Sequence, residues 1–386
     1  MIPRTLIQEI EKAKQVFPVI SITGPRQSGK TTLVRSMFPG YHYLNLEALD
    51  IRALAEEDPR RFINSHIDRG LIIDEAQRVP ALFSYLQTIV DESGEMGKVV
   101  LTGSQHFLAG RVIVLHLLPF TLLELPVVMK DPLDRVLFRG MYPPLHDRDM
   151  EASLFYPTYI QTYVERDVRL IKNIGDLSAF ARFLRLCAGR TGSLLNMSSL
   201  AVEAGIDHKT VRSWISILEA SFIVYLLQPY YRNYKKRIVK QPKLYFYDTG
   251  LLCSLLGLDD EKQLSSHYLR GGIFENFILS EFLKIKMHQG RRPHIYFWRD
   301  NTGTEVDLIL EHGAGFSAVE IKSGTTLKDE YTKSLMKFAD YSGCPAEERY
   351  VIYGGDLSYA GKKAGIYSWR DLLSLSHKLL PADTSG

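Results

Sequence analysis

Lys30 and Thr31 close the stretch GPRQSGKTTL, residues 24–33, in which two glycines stand five apart. The pattern G-x-x-x-x-G-K-T suits a chain that wraps its backbone amides around phosphates. Gly24 and Gly29 let N–H groups come close, and Pro25, Arg26, Gln27 and Ser28 fill the bend between them. A helix that begins here turns its positive end toward the same anion. Lys30 would reach the β- and γ-phosphates, the Thr31 hydroxyl would bind Mg²⁺, and Thr32 would complete the cradle. The expected ligand is ATP with Mg²⁺.

Two further sites of chemistry depend on strand ends. RGLIIDEAQ (69–77) is an apolar run that finishes in two carboxylates. Asp74 is placed to hold Mg²⁺ through water, and Glu75 to orient or deprotonate an attacking water. Taken alone, the run also suits a strand before a capped helix, with Asp74 as the cap. Downstream of a phosphate loop, the catalytic reading is preferred. KVVLTGSQ (98–105) ends in Thr102, Ser104 and Gln105. In an additional-strand ATPase a polar residue here senses the γ-phosphate, and Ser104 is the candidate. The elements that must position these groups are buried parallel strands: FPVISIT before the loop, LIID, and VVLTG.

GPRQSGKTTL, LIIDEAQ, VVLTGSQHFL, the tract GRVIVLHLLPFTLLEL and RGMYPP together resemble a family of prokaryotic AAA-type ATPases. The C-terminal half of that family is a domain of unknown function, number 4143. The resemblance covers nearly the whole chain. It implies an ATPase that completes its site with an arginine, supplied in cis or by a neighbouring subunit. Arg111 is the candidate and Arg139 the runner-up. It therefore also implies a homo-oligomer, such as a ring. One departure is that Phe107 runs straight into Leu108, where the family carries a longer, mostly helical piece before its Ala-Gly-Arg. In YPTYIQTYVERDVRLI (156–171) the family's Tyr-x-x-x-Tyr-x-x-Arg-Asp run recurs. It reads as a solvated helix face or a contact between domains.

The middle of the chain reads as a winged helix. In SSLAVEAGIDHKTVRSWISILEASFIVYLL (198–227) Ser198 could cap a short helix that Gly205 ends. Asp207 then caps a second helix with Val211, Trp214, Ile215 and Leu218 on one stripe. That is a helix-turn-helix pattern, with His208, Lys209 and Arg212 exposed at the start of the recognition helix. PYYRNYKKRIVKQPKLYFYD (229–248) suits a β-hairpin wing. It sets Arg232, Lys235, Lys236, Arg237, Lys240 and Lys243 among Tyr230, Tyr231 and Tyr234, a local footprint for nucleic acid. The competing reading is a lid or a protein-docking module.

The last third orders its elements as helix (274–290), three strands (294–300, 305–311, 316–324), helix and strand. This order resembles the restriction-endonuclease-like, PD-(D/E)XK nuclease core. Asp307, Glu320 and Lys322 match its motif, and Glu275 matches an extra acidic residue of its first helix. Alternation puts Glu320 and Lys322 on one face. Asp307 and Glu320 could hold Mg²⁺, with Lys322 stabilising an attacking water. Glu-x-Lys alone arises about once by chance in a chain of this length, so the order of the elements carries the signal. A salt-bridged pair, or a core kept for binding, is the alternative.

A length of 386 residues exceeds what one core supports. The expected architecture is multi-domain α/β: a P-loop ATPase over 1–145, a helical region with a winged helix over 146–265, and a nuclease-like domain over 266–386. Net charge is only +3, so any surface for nucleic acid must be local. Cys187, Cys253 and Cys344 have no metal-ligand spacing and suit a reducing cytoplasm. The apolar tract 112–128 is too interrupted by His116, prolines and Glu124 to span a membrane. The expected function is an ATPase that engages DNA, at branched or broken structures among others. The alternatives are a nucleotide-gated switch that binds a protein and an ATP-licensed, Mg²⁺-dependent nuclease.

Overall fold

The structure is a computed structural model and describes residues 2–103, 111–163, 176–231, 239–313 and 315–380. The chain falls into two compact units, 1–120 with 285–292, and 121–284 with 293–386. Ser104, Arg232, Lys235, Lys236 and Arg237 lie outside the described residues.

The first unit holds a parallel sheet in the order β2-β3-β4-β1-β5. Its strands are β1 (Val19–Thr23), β2 (His42–Asn45), β3 (Leu71–Asp74), β4 (Val99–Gly103) and β5 (Val112–His116). Alternation sorts their side chains to two faces. Ile20, Ile22, Ile72 and Val100 pack with residues of α1 (Leu6–Val16) and α2 (Lys30–Met37). Val19, Leu71, Ile73, Val99 and Leu101 pack with α3 (Leu49–Glu57), α4 (Pro59–Asn64) and α5 (Ala81–Ser93). Because β4 lies between β1 and β3, the loop after β1 and the carboxylates after β3 flank the end of β4. All three sit at the carboxyl edge of the sheet, where open α/β sheets bind ligands. Residues 285–292 belong to this unit, and the Leu118 amide donates to His288 Nε2 at 3.0 Å.

The second unit opens with α6 (Leu133–Arg139), α7 (Pro144–Asp147), α8 (Ala152–Tyr159) and α9 (Leu177–Ala188). Then come α10 (Met197–Ala204) and α11 (His208–Ala220), joined through Gly205 at φ +71°. Asp207 caps α11, accepting from the Lys209 and Thr210 amides at 2.8 and 3.0 Å. Asn196, and not Ser198, caps α10, accepting from the Ser199 amide at 3.0 Å. After α11 come β6 (Val224–Leu227) and β7 (Lys243–Phe246), paired antiparallel with Val224 opposite Phe246. The hairpin thus starts earlier than the expected 229. Its connection joins the next sheet, since the Tyr230 amide donates to the Phe297 carbonyl at 2.7 Å.

Next are α12 (Thr249–Leu255), α13 (Glu261–Ser266) and the long α14 (Arg270–His288). A mixed sheet follows, in the order β12-β13-β11-β10-β9-β8. Its elements are β8 (Ile295–Arg299), β9 (Glu305–His312), β10 (Gly315–Lys322), α15 (Lys333–Ser342), β11 (Arg349–Tyr353), β12 (Tyr359–Ala360), β13 (Gly365–Ser368) and α16 (Leu372–Leu379). β8, β9 and β10 run antiparallel in turn, whereas α15 carries the chain over to a parallel β11. Leu335 and Phe338 of α15 pack on Trp298, Ile309, Phe316 and Ala318.

Candidate functional site

The phosphate loop is held open by backbone constraints. Gly24 has φ +148°, and a Cβ there would lie 2.1 Å from the Leu117 carbonyl oxygen. Gly29, at φ +94°, precedes the first turn of α2. From below, Arg4 Nη1 donates to the Ser28 carbonyl at 2.9 Å. Across the loop, Lys30 Nζ donates to the Gly24 and Pro25 carbonyls at 2.9 and 2.7 Å. Burial pulls the Lys30 ammonium down to about 8, against the opposing pull of Glu75 and Asp74. Among the described residues, the buried Ser28 hydroxyl has no hydrogen-bond partner. Arg26 pairs with Glu47 at 2.5 Å, Gln27 is exposed at φ +61°, and Thr32 is exposed on α2.

Asp74 is the hub of the site. Its Oδ2 accepts from Thr31 Oγ1 at 2.9 Å and from the Tyr43 hydroxyl at 2.6 Å. Its Oδ1 accepts from Thr102 at the end of β4. Glu75 follows in the left-handed region, at φ +59°. That is a strained conformation for a residue other than glycine. Gln77 Nε2 donates to Glu75 Oε2 at 2.6 Å. Burial raises the Glu75 carboxyl above its ordinary value, with Lys30 opposing.

Arg111, the first candidate arginine, stands elsewhere in the first unit. Arg111 precedes Val112, which pairs with Val19 at the start of β1, whereas the loop follows Thr23 at its end. That is the opposite edge of the sheet, so Arg111 cannot serve the γ-phosphate of its own chain. Exposed there, it pairs with Asp91. Arg139 binds Asp149 at 2.7 Å and the Leu145 carbonyl.

On α11, His208, Lys209 and Arg212 are all exposed, as is Lys240 after the basic tract. Lys243 is not part of that surface. It is 2% exposed, with Nζ 3.0 Å from Glu275 Oε1 and in contact with Glu305 Oε1. Tyr230 is buried too, against Tyr296 and Phe316. The footprint expected from the tract therefore loses two of its members to the core.

In the C-terminal sheet, the register that sets Ala318 opposite Ile309 carries Glu320 opposite Asp307. Lys322 Nζ lies 2.6 Å from Glu320 Oε1 and 3.6 Å from Asp307 Oδ2. Asp307 Oδ2 also accepts from the Ile321 amide at 2.7 Å. Burial first and Asp307 second push the Glu320 carboxyl up to about 8, against Lys322. Glu275, on α14, joins the same core but is held by Lys243 and the Tyr245 hydroxyl. Among the described residues, the acidic group with metal-ligand spacing is Glu275, Glu305 and Asp307, and Glu320 is not in it.

Residues 16–125 match the AAA domain family, 130–262 a domain of unknown function (DUF8612), and 270–371 another (DUF4143). The uncharacterized protein Rv2008c of Mycobacterium tuberculosis is 30% identical over 337 residues, which cover 84% of this chain and 74% of that protein. The chain belongs to this family of AAA-type ATPases with a C-terminal DUF4143 domain. Similar solved structures include the Walker-type ATPase PABY2304 of Pyrococcus abyssi, at 12% identity and TM-score 0.39, covering 66% of this chain and 96% of that one. Another is the RuvB T158V variant of Thermotoga maritima, at 19% identity and TM-score 0.30, covering 57% and 86%.

Several partners in this AAA-type ATPase carry no local sequence signal. Tyr43 reaches Asp74 and Arg4 reaches the glycine-rich loop from elsewhere in the first unit, and Gln77 could have been noticed only as the polar neighbour of Glu75. Glu305 stands two before Asp307 on the same strand face, so alternation alone could have found it. Among the described residues, no helix is long and apolar enough to cross a membrane.

Proposed function

We propose that this nucleotide-binding ATPase hydrolyses ATP with Mg²⁺ and couples that cycle to DNA held by its middle region. The observation that carries the ATP site is the 2.9 Å hydrogen bond between Thr31 and Asp74, set beside Lys30 over the loop. The donor set fits the ligand. A buried Ser28 hydroxyl with no partner among the described residues, loop amides ordered by Gly24 and Gly29, and an ammonium suit a triphosphate. Thr31 and, through water, Asp74 would hold Mg²⁺, which neutralises phosphate charge when bound. Glu75 is the base or water-orienting group. Its raised proton affinity brings it nearer the range of a working general base, and Gln77 fixes its direction.

The DNA reading rests on the helix-turn-helix geometry of α10 and α11, followed by the β6–β7 pair, which we take as a winged helix. Its exposed His208, Lys209 and Arg212 suit phosphate contact. Because Arg111 faces away from its own nucleotide, a neighbouring copy is the partner that would receive it, and the active form would be a homo-oligomer. A protein partner on the same middle region, or a cutting core around Asp307, Glu320 and Lys322, are the competing uses.

ATP turnover by wild type and Glu75→Gln, with single-stranded, duplex and four-way-junction DNA, tests this. Glu75→Gln should keep ATP binding and lose turnover at least a hundredfold. Wild type should be stimulated by one DNA form. The double change Lys209→Ala/Arg212→Ala should weaken binding uniformly and lower the salt slope by about 2. Turnover indifferent to every DNA would move the assignment to a protein-gated switch.

A further inference from the structure

The nuclease-like core implies a metal, but the chemistry of its donor set points elsewhere. Glu275, Glu305 and Asp307 each bring one oxygen within 4.8 Å of the others. Oxygens on opposite sides of a bound divalent ion stand about 4–5 Å apart, so the spacing alone would serve one. At least one oxygen of each carboxylate is already engaged. Glu275 Oε1 receives both the Lys243 ammonium and the Tyr245 hydroxyl. Glu305 receives Lys243 on Oε1 and Arg299 on Oε2, the latter at 3.1 Å. Asp307 Oδ2 receives the Ile321 amide and faces Lys322.

We infer that the Lys243 ammonium is the resident cation of this acidic core, standing where a divalent ion would stand and keeping the core closed to metal. Lys243 comes from outside the C-terminal domain, on strand β7 of the hairpin, yet its side chain is buried. Its backbone is fixed on both sides. The Gly192 amide donates to the Leu244 carbonyl at 2.9 Å. Asn276 grips Phe246, accepting from its amide at 2.7 Å and donating to its carbonyl at 2.8 Å. Lysine and tyrosine at alternate positions of one strand therefore enter the same carboxylate from the same side. A divalent ion would have to displace a buried, paired ammonium or crowd two more positive charges against it. The hairpin and the core are thus joined through Glu275 and Glu305, of which Glu275 is the extra acid a cutting site would carry. This inference does not depend on the ATP or DNA assignment.

The test is Mn²⁺ binding to the full chain without nucleotide, read by electron paramagnetic resonance. Wild type and Asp307→Asn should bind the same number of ions. Lys243→Met should bind one more, and Lys243→Met/Asp307→Asn should lose it again. Mn²⁺ should raise the melting temperature of Lys243→Met and leave that of wild type unmoved. If Lys243→Met does not fold unaided, refolding with and without Mn²⁺ reads the same point, since recovery only with the ion supports the assignment. A wild-type ion lost on Asp307→Asn overturns it. So does a folded Lys243→Met that gains no ion, or one that Mn²⁺ does not help to refold.

Discussion

At Lys30 the protein trades proton affinity for position. Burial under the loop lowers its proton affinity to about 8, from 10.5. Phosphate needs the ammonium, so ATP affinity should be flat below pH 8 and fall as pH rises through it, by up to about tenfold per unit. Titrating ATP affinity between neutral and alkaline pH checks this, and Lys30→Arg, which stays charged, should bind more weakly without the inflection. The stability effect has the opposite slope. Between about 8 and 10.5 the unfolded chain holds more protons than the folded one, so this group makes folding more favourable as pH rises there. Lys30 was legible because loop, lysine and threonine are neighbours in sequence. Tyr43 was not, because it lies 31 residues before Asp74 and meets it only through strand pairing.

Among elements, the RGMYPP and YFYD stretches explain each other. Gly140 has φ +67°, and a Cβ there would lie 2.1 Å from the Tyr156 hydroxyl oxygen. That hydroxyl donates to Asp248 Oδ1 at 2.7 Å, while Asp248 Oδ2 accepts from the Met141 amide at 2.7 Å. Asp248 also caps α12 through the Leu251 amide at 2.9 Å. One buried carboxylate therefore joins α6, α8 and α12. Asp248→Ala should cost on the order of 3 kcal/mol or more, because it strands buried donors on three elements. Urea unfolding measures it, and Asp248→Asn should cost less. Tyr142, Tyr159 and Tyr163 pack as tilted rings in the same cluster, which gives the tyrosine-rich run a packing role that its periodicity alone did not reveal. Element order in both α/β sheets was legible from apolar runs and breakers. The true hairpin register was not, because a tract of lysines and tyrosines looks solvated until distant carboxylates are brought to it. Glu275 is 32 residues from Lys243 and Glu305 is 62.

For the whole molecule, chain order and unit membership part company. Residues 285–292 lie in the C-terminal half yet pack in the first unit, where His288 accepts the Leu118 amide. His288→Ala should leave that buried amide unpaired and cost about 1–3 kcal/mol. Hydrogen exchange at Leu118 should quicken, while the C-terminal sheet keeps its protection. Motif reading could mark the candidate phosphate loop and could not foresee this, because motifs describe contiguous stretches and packing does not.

That arrangement also sets a clock on synthesis. A ribosome adding about 5–20 residues per second needs roughly ten to thirty seconds to travel from Phe120 to Arg292. Through that interval the nascent ATPase sheet waits without its last piece. The nascent chain should therefore reach its protease-resistant form only after residue 292 has cleared the exit tunnel, and a messenger truncated before that point should yield a product that chaperones retain.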